Sequence, residues 1–365
     1  MELIIDMSIL QSHLMYAIII MLSTFLVWIA DHSICLECVF NGVVRTHKIS
    51  IARVTLYTVV FLIIIIPLVS RTCGADTEVY YFDYEHDRIY KTDYLFSYVL
   101  TILHSLIDSP QIGLGIISVV TVGLSLVSIF SIRDHISVPL AFFAYITSVY
   151  YYSYNYMRML FAISFVFVGY SLCIVKKKKT AIIPFVIAAF FHLSSIVALL
   201  IHIGLLFFKR HKKLIIALSM VGLVVFIAFP SRLLSLVSVE RYSDYINSGS
   251  SMTLGLGTVL RVLPALYIIW IYRKEHRTDF QYTWILGFML ANIVFSFLGY
   301  IVASASRLSN VLLVFHTVFG IPYLVKQDKS ILRKADMTCL FACYCAFIYV
   351  LVSANFETMG IVPYY

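Results

Sequence analysis

The sequence predicts an all-α polytopic membrane protein. About twelve membrane helices are expected, including a short helical hairpin, with two larger extracytoplasmic loops. Three observations lead there. Hydrophobic residues make up 61% of the 365 and charged residues only 13%. Mean hydropathy is +0.93, which no soluble domain reaches. Long apolar runs such as LYTVVFLIIIIPLV are unbroken and lack the period-2 alternation of an outer-membrane barrel. The whole chain, 1–365, reads as one integral membrane domain. Loop 71–93 is its first extracytoplasmic loop and 230–256 its second.

The net charge of +8 is not a nucleic-acid signal. Lys and Arg are spread over short loops between apolar runs, as the positive-inside rule expects. The tetrad Lys176 to Lys179 reads as a flank that stops translocation; binding of anionic headgroups is the alternative. The N-terminus lacks a basic n-region, and its first apolar run is long enough to span, so no cleavable signal is expected. Cys35 and Cys38 form one CxxC with no second pair at zinc spacing, and Cys343 and Cys345 read as small core residues. No metal and no cofactor is expected.

The first span is placed at about Leu14 to Ala30, and the second at about Ile51 to Ser70. Arg45, Lys48 and Arg53 put the connection between them inside. The loop RTCGADTEVYYFDYEHDRIYKTD is acidic, which suits the outside. Tyr94 to Ile107 is short for a span and reads as an interfacial or re-entrant helix ending at Asp108-Ser109-Pro110. Spans follow at about Ile112 to Ile132, Ile136 to Tyr152 and Asn155 to Val175. The stretch Thr180 to Phe208 lies between two basic clusters, the lysine tetrad and Lys209 to Lys213. One helix cannot start and finish on the same side. A hairpin broken near Phe191-His192-Leu193-Ser194-Ser195 resolves the conflict, a single span with one misassigned loop being the alternative. Each leg of about a dozen residues rises about 18 Å, short of the roughly 30 Å hydrocarbon core. His192 then sits at membrane depth, beside protein or a wet cavity. Further spans are placed at about Leu214 to Phe229, Gly257 to Tyr272, Tyr282 to Ala303, Leu308 to Val325 and Met337 to Ala354, with both termini outside. No internal repeat is visible.

Arg158, Arg261 and Arg307 stand in or beside apolar segments. An arginine at the centre of a lone helix costs roughly 2.5 kcal/mol or more and cannot shed its charge. Three such residues point to an anionic, phosphate-bearing substrate. Each has a structural alternative, as a snorkelling interfacial group or the partner of a carboxylate.

Six local patterns together resemble the EpsG-like branch of the Wzy-type polysaccharide polymerases. They are Arg71 with Gly74-Ala75-Asp76 and Tyr80; Asn155-Tyr156-Met157-Arg158 with Ala162; Phe191-His192-Leu193-Ser194-Ser195; Arg241-Tyr242-Ser243-Asp244-Tyr245; Ser306-Arg307; and Pro363-Tyr364. The family glutamine after the arginine is Met159 here, and its alanine after Phe-His-x-Ser is Ser195. Asp93 stands where the family has an acidic residue opening the short outer helix, in a looser setting.

The resemblance implies a glycosyltransferase at the outer face of the bacterial inner membrane. Its substrate would be a polyprenyl-diphosphate-linked oligosaccharide, and its partners the lipid bilayer and a chain-length regulator. The growing glycan would move from one carrier onto a sugar hydroxyl of the next, releasing polyprenyl diphosphate. The chain has no Asp-x-Asp, so arginine forks (Arg158, Arg307, Arg71 and Arg261) are the candidates for the diphosphate. His192 and the loop carboxylates Asp76, Glu78 and Asp83 are candidates for a base. The alternatives are a hydrogen-bonded core histidine and solvated loop charge. Tyr80, Tyr242, Tyr245 and Asn155 are the glycan candidates. Tyr81, Tyr84, Tyr90, Tyr151, Tyr152 and Tyr154 suit either sugar stacking or the aromatic belt. A flippase for the same lipid-linked glycan and an acyltransferase on surface sugars are the rival functions. A flippase is disfavoured by the missing repeat symmetry. An acyltransferase is disfavoured because His192 has no carboxylate partner nearby in sequence.

Overall fold

A computed structural model describes residues 8–32, 51–71, 74, 76–89, 93–228, 262–263, 266–268, 270–271, 280–301, 311–357 and 359–361. Helices dominate, and no strand occurs among the described residues. The chain divides into two compact units. Residues 1–82, 109–157 and 322–365 form the first; residues 83–108 and 158–321 form the second.

Within the first unit, α1 (Ile9–His32) packs on α2 (Ile51–Ser70) and α6 (Val138–Ser148). Helix α2 packs on α5 (Pro110–Phe130), and α6 on α12 (Ile331–Ser353). Apolar residues surround these helices, so burial picks the inner stripe. On α1 that stripe is Tyr16, Ile19, Ile20, Ser23, Val27 and Ala30, while Leu14, Ile18, Met21 and Phe25 stay exposed for lipid. On α5 the stripe is Ser118, Thr121, Ser125 and Ser128, each hydroxyl donating back to a carbonyl four residues earlier. Small hydroxyl residues let neighbouring helices approach closely without leaving a polar group unpaired.

Arg53, expected in a cytoplasmic loop, lies in the first turn of α2 and is buried. Its Nε donates to the Ala30 carbonyl at 2.9 Å, answering one of the unpaired carbonyls at the end of α1. A 3-10 turn, Tyr150–Tyr154, follows α6. Tyr150, Tyr151 and Tyr154 are buried in an aromatic knot with Tyr16. Tyr150 donates to the Ile64 carbonyl and Tyr151 to that of Tyr16. Tyr151 and Tyr154 are therefore core residues, not the outer-surface tyrosines expected; aromatic composition alone does not separate a belt from a knot.

The second unit holds α4 (Tyr94–Leu106), most of α7 (Met157–Ile174), α8 (Ile182–Phe191), α9 (Ile196–Ala228), α10 (Phe280–Ile301) and most of α11 (Val311–Gln327). Its core is aromatic. Tyr170 is ringed by Phe185, Trp284, Phe288, Phe315 and Phe319 at 4.5–5.7 Å between ring centroids. Gly169 permits this: a Cβ there would meet the Phe185 ring at 2.6 Å.

The expected break in the hairpin is present. Helix α8 ends at His192, which is extended, and a 3-10 turn, Leu193–Ser195, leads into α9. Phe185 of α8 lies against His202 of α9, with ring centroids 5.0 Å apart, nearly equidistant in sequence from the turn, so the legs run antiparallel. The second leg is apolar to Phe208, and the helical run then breaks inside the basic cluster at His211, whose backbone is non-helical (φ −127°, ψ 36°). Two helices meet at that kink, close to where the basic cluster predicts a boundary.

Helices 9–32, 51–70, 110–130, 157–174, 281–298 and 331–353 are long and apolar enough to cross a membrane. Helices α4, α6, α8, α11 and the first part of α9 are apolar but shorter. Six candidate spans and five shorter apolar helices are thus present among the described residues.

Candidate functional site

Helix α3 (Thr77–Glu85) begins in the first unit and carries the first loop into the second. Gly74 has φ +120°, and a Cβ there would lie 2.7 Å from the Tyr154 carbonyl oxygen and 2.7 Å from Thr77 Oγ1. Only glycine fits that backbone and that gap. Asn155 donates from Nδ2 to the Met359 carbonyl at 2.8 Å, and its Oδ1 lies 3.5 Å from the Asp76 amide. Its side chain thus links the loop to the C-terminal segment. Arg71 is buried with its guanidinium 4.5 Å above the Tyr154 ring. Arg71, Thr77, Tyr80, Tyr81 and Gln111 line one small cleft over Leu68 and Leu114.

The second unit brings together three residues far apart in sequence. Asp93 precedes α4, Arg158 stands in the first turn of α7, and His192 forms the break between α8 and the 3-10 turn. Arg158 donates to Asp93 Oδ2 at 2.9 Å. His192 Nδ1 lies 3.1 Å from Asp93 Oδ1. Asp93 is 2% exposed, Arg158 21% and His192 13%, so the acid is sealed behind its two partners. Phe96, Phe161, Phe165 and Phe191 form a chain of ring contacts on the same helices.

Asp93 is the N-cap of α4, yet its side chain makes no capping bond. An N-cap bond is worth about 1 kcal/mol. The carboxylate forgoes it for two charge-assisted bonds, which are roughly twice as strong as neutral ones. Burial pushes the Asp93 carboxyl up. The hydrogen bond from His192, the charges of His192 and Arg158, and a bond from the Leu193 amide outweigh burial and hold it below its ordinary value. The sign follows. A carboxyl lowered in the folded state contributes stability that is fully present above the unfolded value, near 4, and is lost as pH falls through the folded value. In detergent, the thermal midpoint of the wild type should therefore drop more between pH 5 and strong acid than that of Asp93→Asn, the interval being set by the ordinary carboxylate range, about 4. Equal drops would disprove the assignment.

The candidate bases of the first loop are differently placed. Asp83 is buried and bonded to Arg88 at 3.1 Å, so it is a structural acid. Asp76 is half-buried at the start of α3, and Glu78 is exposed. Tyr80 and Tyr84 are buried. Arg261, Arg307, Tyr242, Tyr245, Tyr90, Cys35, Cys38, loop 230–256 and Pro363-Tyr364 lie outside the described residues. Among the described residues no group of three His, Cys, Asp or Glu could hold a metal ion. Sequence reasoning missed Asp93 as the partner of His192; its one signal was an acidic residue at the head of a short amphipathic helix.

No curated protein and no solved structure matches the chain. Residues 54–365, which include most of α2, all of α3 through α12, the Arg71 loop and the Asp93–Arg158–His192 cluster, match the EpsG family, and the chain belongs to that family.

Proposed function

We propose that the protein polymerises polyprenyl-diphosphate-linked oligosaccharide repeats at the outer face of the inner membrane. Membership of the EpsG family supports a role in polysaccharide biosynthesis. The observation that carries the finer reading is the cluster of Arg158 and His192 on one buried carboxylate. Glycosyl transfer from a diphosphate carrier has two needs. Negative charge must be met as the anomeric bond breaks, and the attacking hydroxyl must lose its proton. A guanidinium supplies planar donors for phosphate and never deprotonates. An imidazole takes a proton near neutral pH. In this reading Arg158 faces the diphosphate and His192 accepts the proton. Arg71, on its stacked tyrosine, is a separate candidate for an anion of that class.

The test is reconstitution. Purified protein with lipid-linked repeats extracted from a host strain deleted for this chain should give a ladder of longer glycans. A flippase or an acyltransferase would give none. The same assay in strong chelator should run at the same rate, since fixed cations replace a metal in this reading. Activity lost in chelator and restored only by added metal would remove Arg158 from the central place given to it.

A further inference from the structure

We infer that Asp93 is a positioning residue that fixes His192 in the Nδ1–H tautomer and presents its Nε2 to the acceptor hydroxyl. The inference rests on the polymerase reading above. An ionised carboxylate only accepts hydrogen bonds, so the 3.1 Å contact requires the proton on Nδ1. Nε2 makes no hydrogen bond among the described residues, and the ring keeps 13% exposure. By contrast, the Oγ atoms of Ser194 and Ser195 beside it are sealed from solvent.

Three other histidines are not built this way. His202 is fully buried and uses both nitrogens: Nδ1 accepts from Trp284 at 3.1 Å, and Nε2 donates to the Lys178 carbonyl at 3.0 Å. His316 is fully buried with both nitrogens enclosed. His104 does meet a carboxylate, Asp87, at 3.1 Å. Asp87 is 50% exposed, however, and a solvated pair constrains little. Of these four, His192 alone combines a sealed carboxylate on one nitrogen with an open second nitrogen.

The step balances. The acceptor oxygen attacks the anomeric carbon, and its proton passes to Nε2. The bond from the anomeric carbon to the diphosphate oxygen breaks, and both electrons leave on polyprenyl diphosphate. The imidazolium is held by the Asp93 carboxylate, and no proton moves to Asp93. Solvent then removes the proton from Nε2. Asp93 also touches Arg158, so a loss on mutating Asp93 has two routes, and the test has to separate them.

The experiment uses the full chain and lipid-linked repeats from the deleted host strain. His192→Gln and Asp93→Asn should each lower kcat by about a hundredfold or more with little change in KM. Asp93→Glu should recover part of that loss. The double variant should be no slower than His192→Gln alone, because Asp93 acts through that ring. Losses that multiply in the double variant would overturn the inference, showing that Asp93 acts through Arg158 instead. So would a rise in KM as the main effect. Failure of both single variants to accumulate, with Asp93→Glu accumulating but inactive, would make the pair structural and also overturn it. If the wild type itself forms no ladder, the polymerase reading falls, an outcome distinct from a ladder that survives Asp93→Asn.

Discussion

Arg158→Lys should accumulate in the membrane at the wild-type level and yet make almost no long glycan. Lysine keeps the positive charge that Asp93 needs, so the buried acid stays compensated. It loses the planar fork that a phosphate group requires. Removing one donor to a developing oxyanion costs about 10²–10³ in rate, which sets the expected loss. Arg158→Ala is harder to read alone. It strips a cation from a carboxylate that is 2% exposed, and breaking a buried pair from one side costs about 3–5 kcal/mol. The protein would then fall in level for a reason unrelated to chemistry. Arg158→Ala combined with Asp93→Asn removes both charges together and should restore accumulation without restoring glycan. Glycan length by gel and protein level by immunoblot, measured on the same cells, decide the matter. A double variant that regains long glycan would show that Arg158 serves only as the counter-ion of Asp93 and that His192 works without Asp93.

The hairpin break was legible in the sequence because topology demanded it: two basic clusters flank one apolar stretch, and the turn had to fall near His192. The helix start at Arg158 and the short helix after Asp93 were legible for similar local reasons. The contact that makes the site was not. Asp93 lies 65 residues from Arg158 and 99 from His192, and no periodicity connects helices across such separations. In sequence, His192 has no carboxylate close by, which disfavours an acyltransferase. The fold supplies one in Asp93, so sequence distance is no ground for that distinction. Asn155 shows the converse. Its spacing to Arg158 marked it for substrate, whereas its amide is engaged with the Met359 carbonyl. The first-loop carboxylates were equivalent on paper, and only burial and the Arg88 bond set Asp83 apart.

Gly74→Ala should lower the thermal midpoint and shorten or abolish glycan, although residue 74 carries no functional group. Its φ of +120° lies where residues with a Cβ are strained, at a cost of order 1–3 kcal/mol. The added methyl would also meet two oxygens at 2.7 Å. One of them, Thr77 Oγ1, can rotate away. The other is the Tyr154 carbonyl, held in the 3-10 turn that packs under Tyr16, so the loop must move instead. Moving it separates Arg71 from the Tyr154 ring that supports its guanidinium. Activity should therefore fall further than the midpoint accounts for. The comparison is Tyr154→Leu, which leaves Gly74 unstrained and removes the ring beneath Arg71 along with its contacts to Tyr16 and Tyr150. If Arg71 matters through its placement, both variants lose glycan at a temperature where both are still folded. If Gly74→Ala loses stability alone and Tyr154→Leu keeps full-length glycan, the Arg71 loop is scaffold, and the anion chemistry belongs to Arg158.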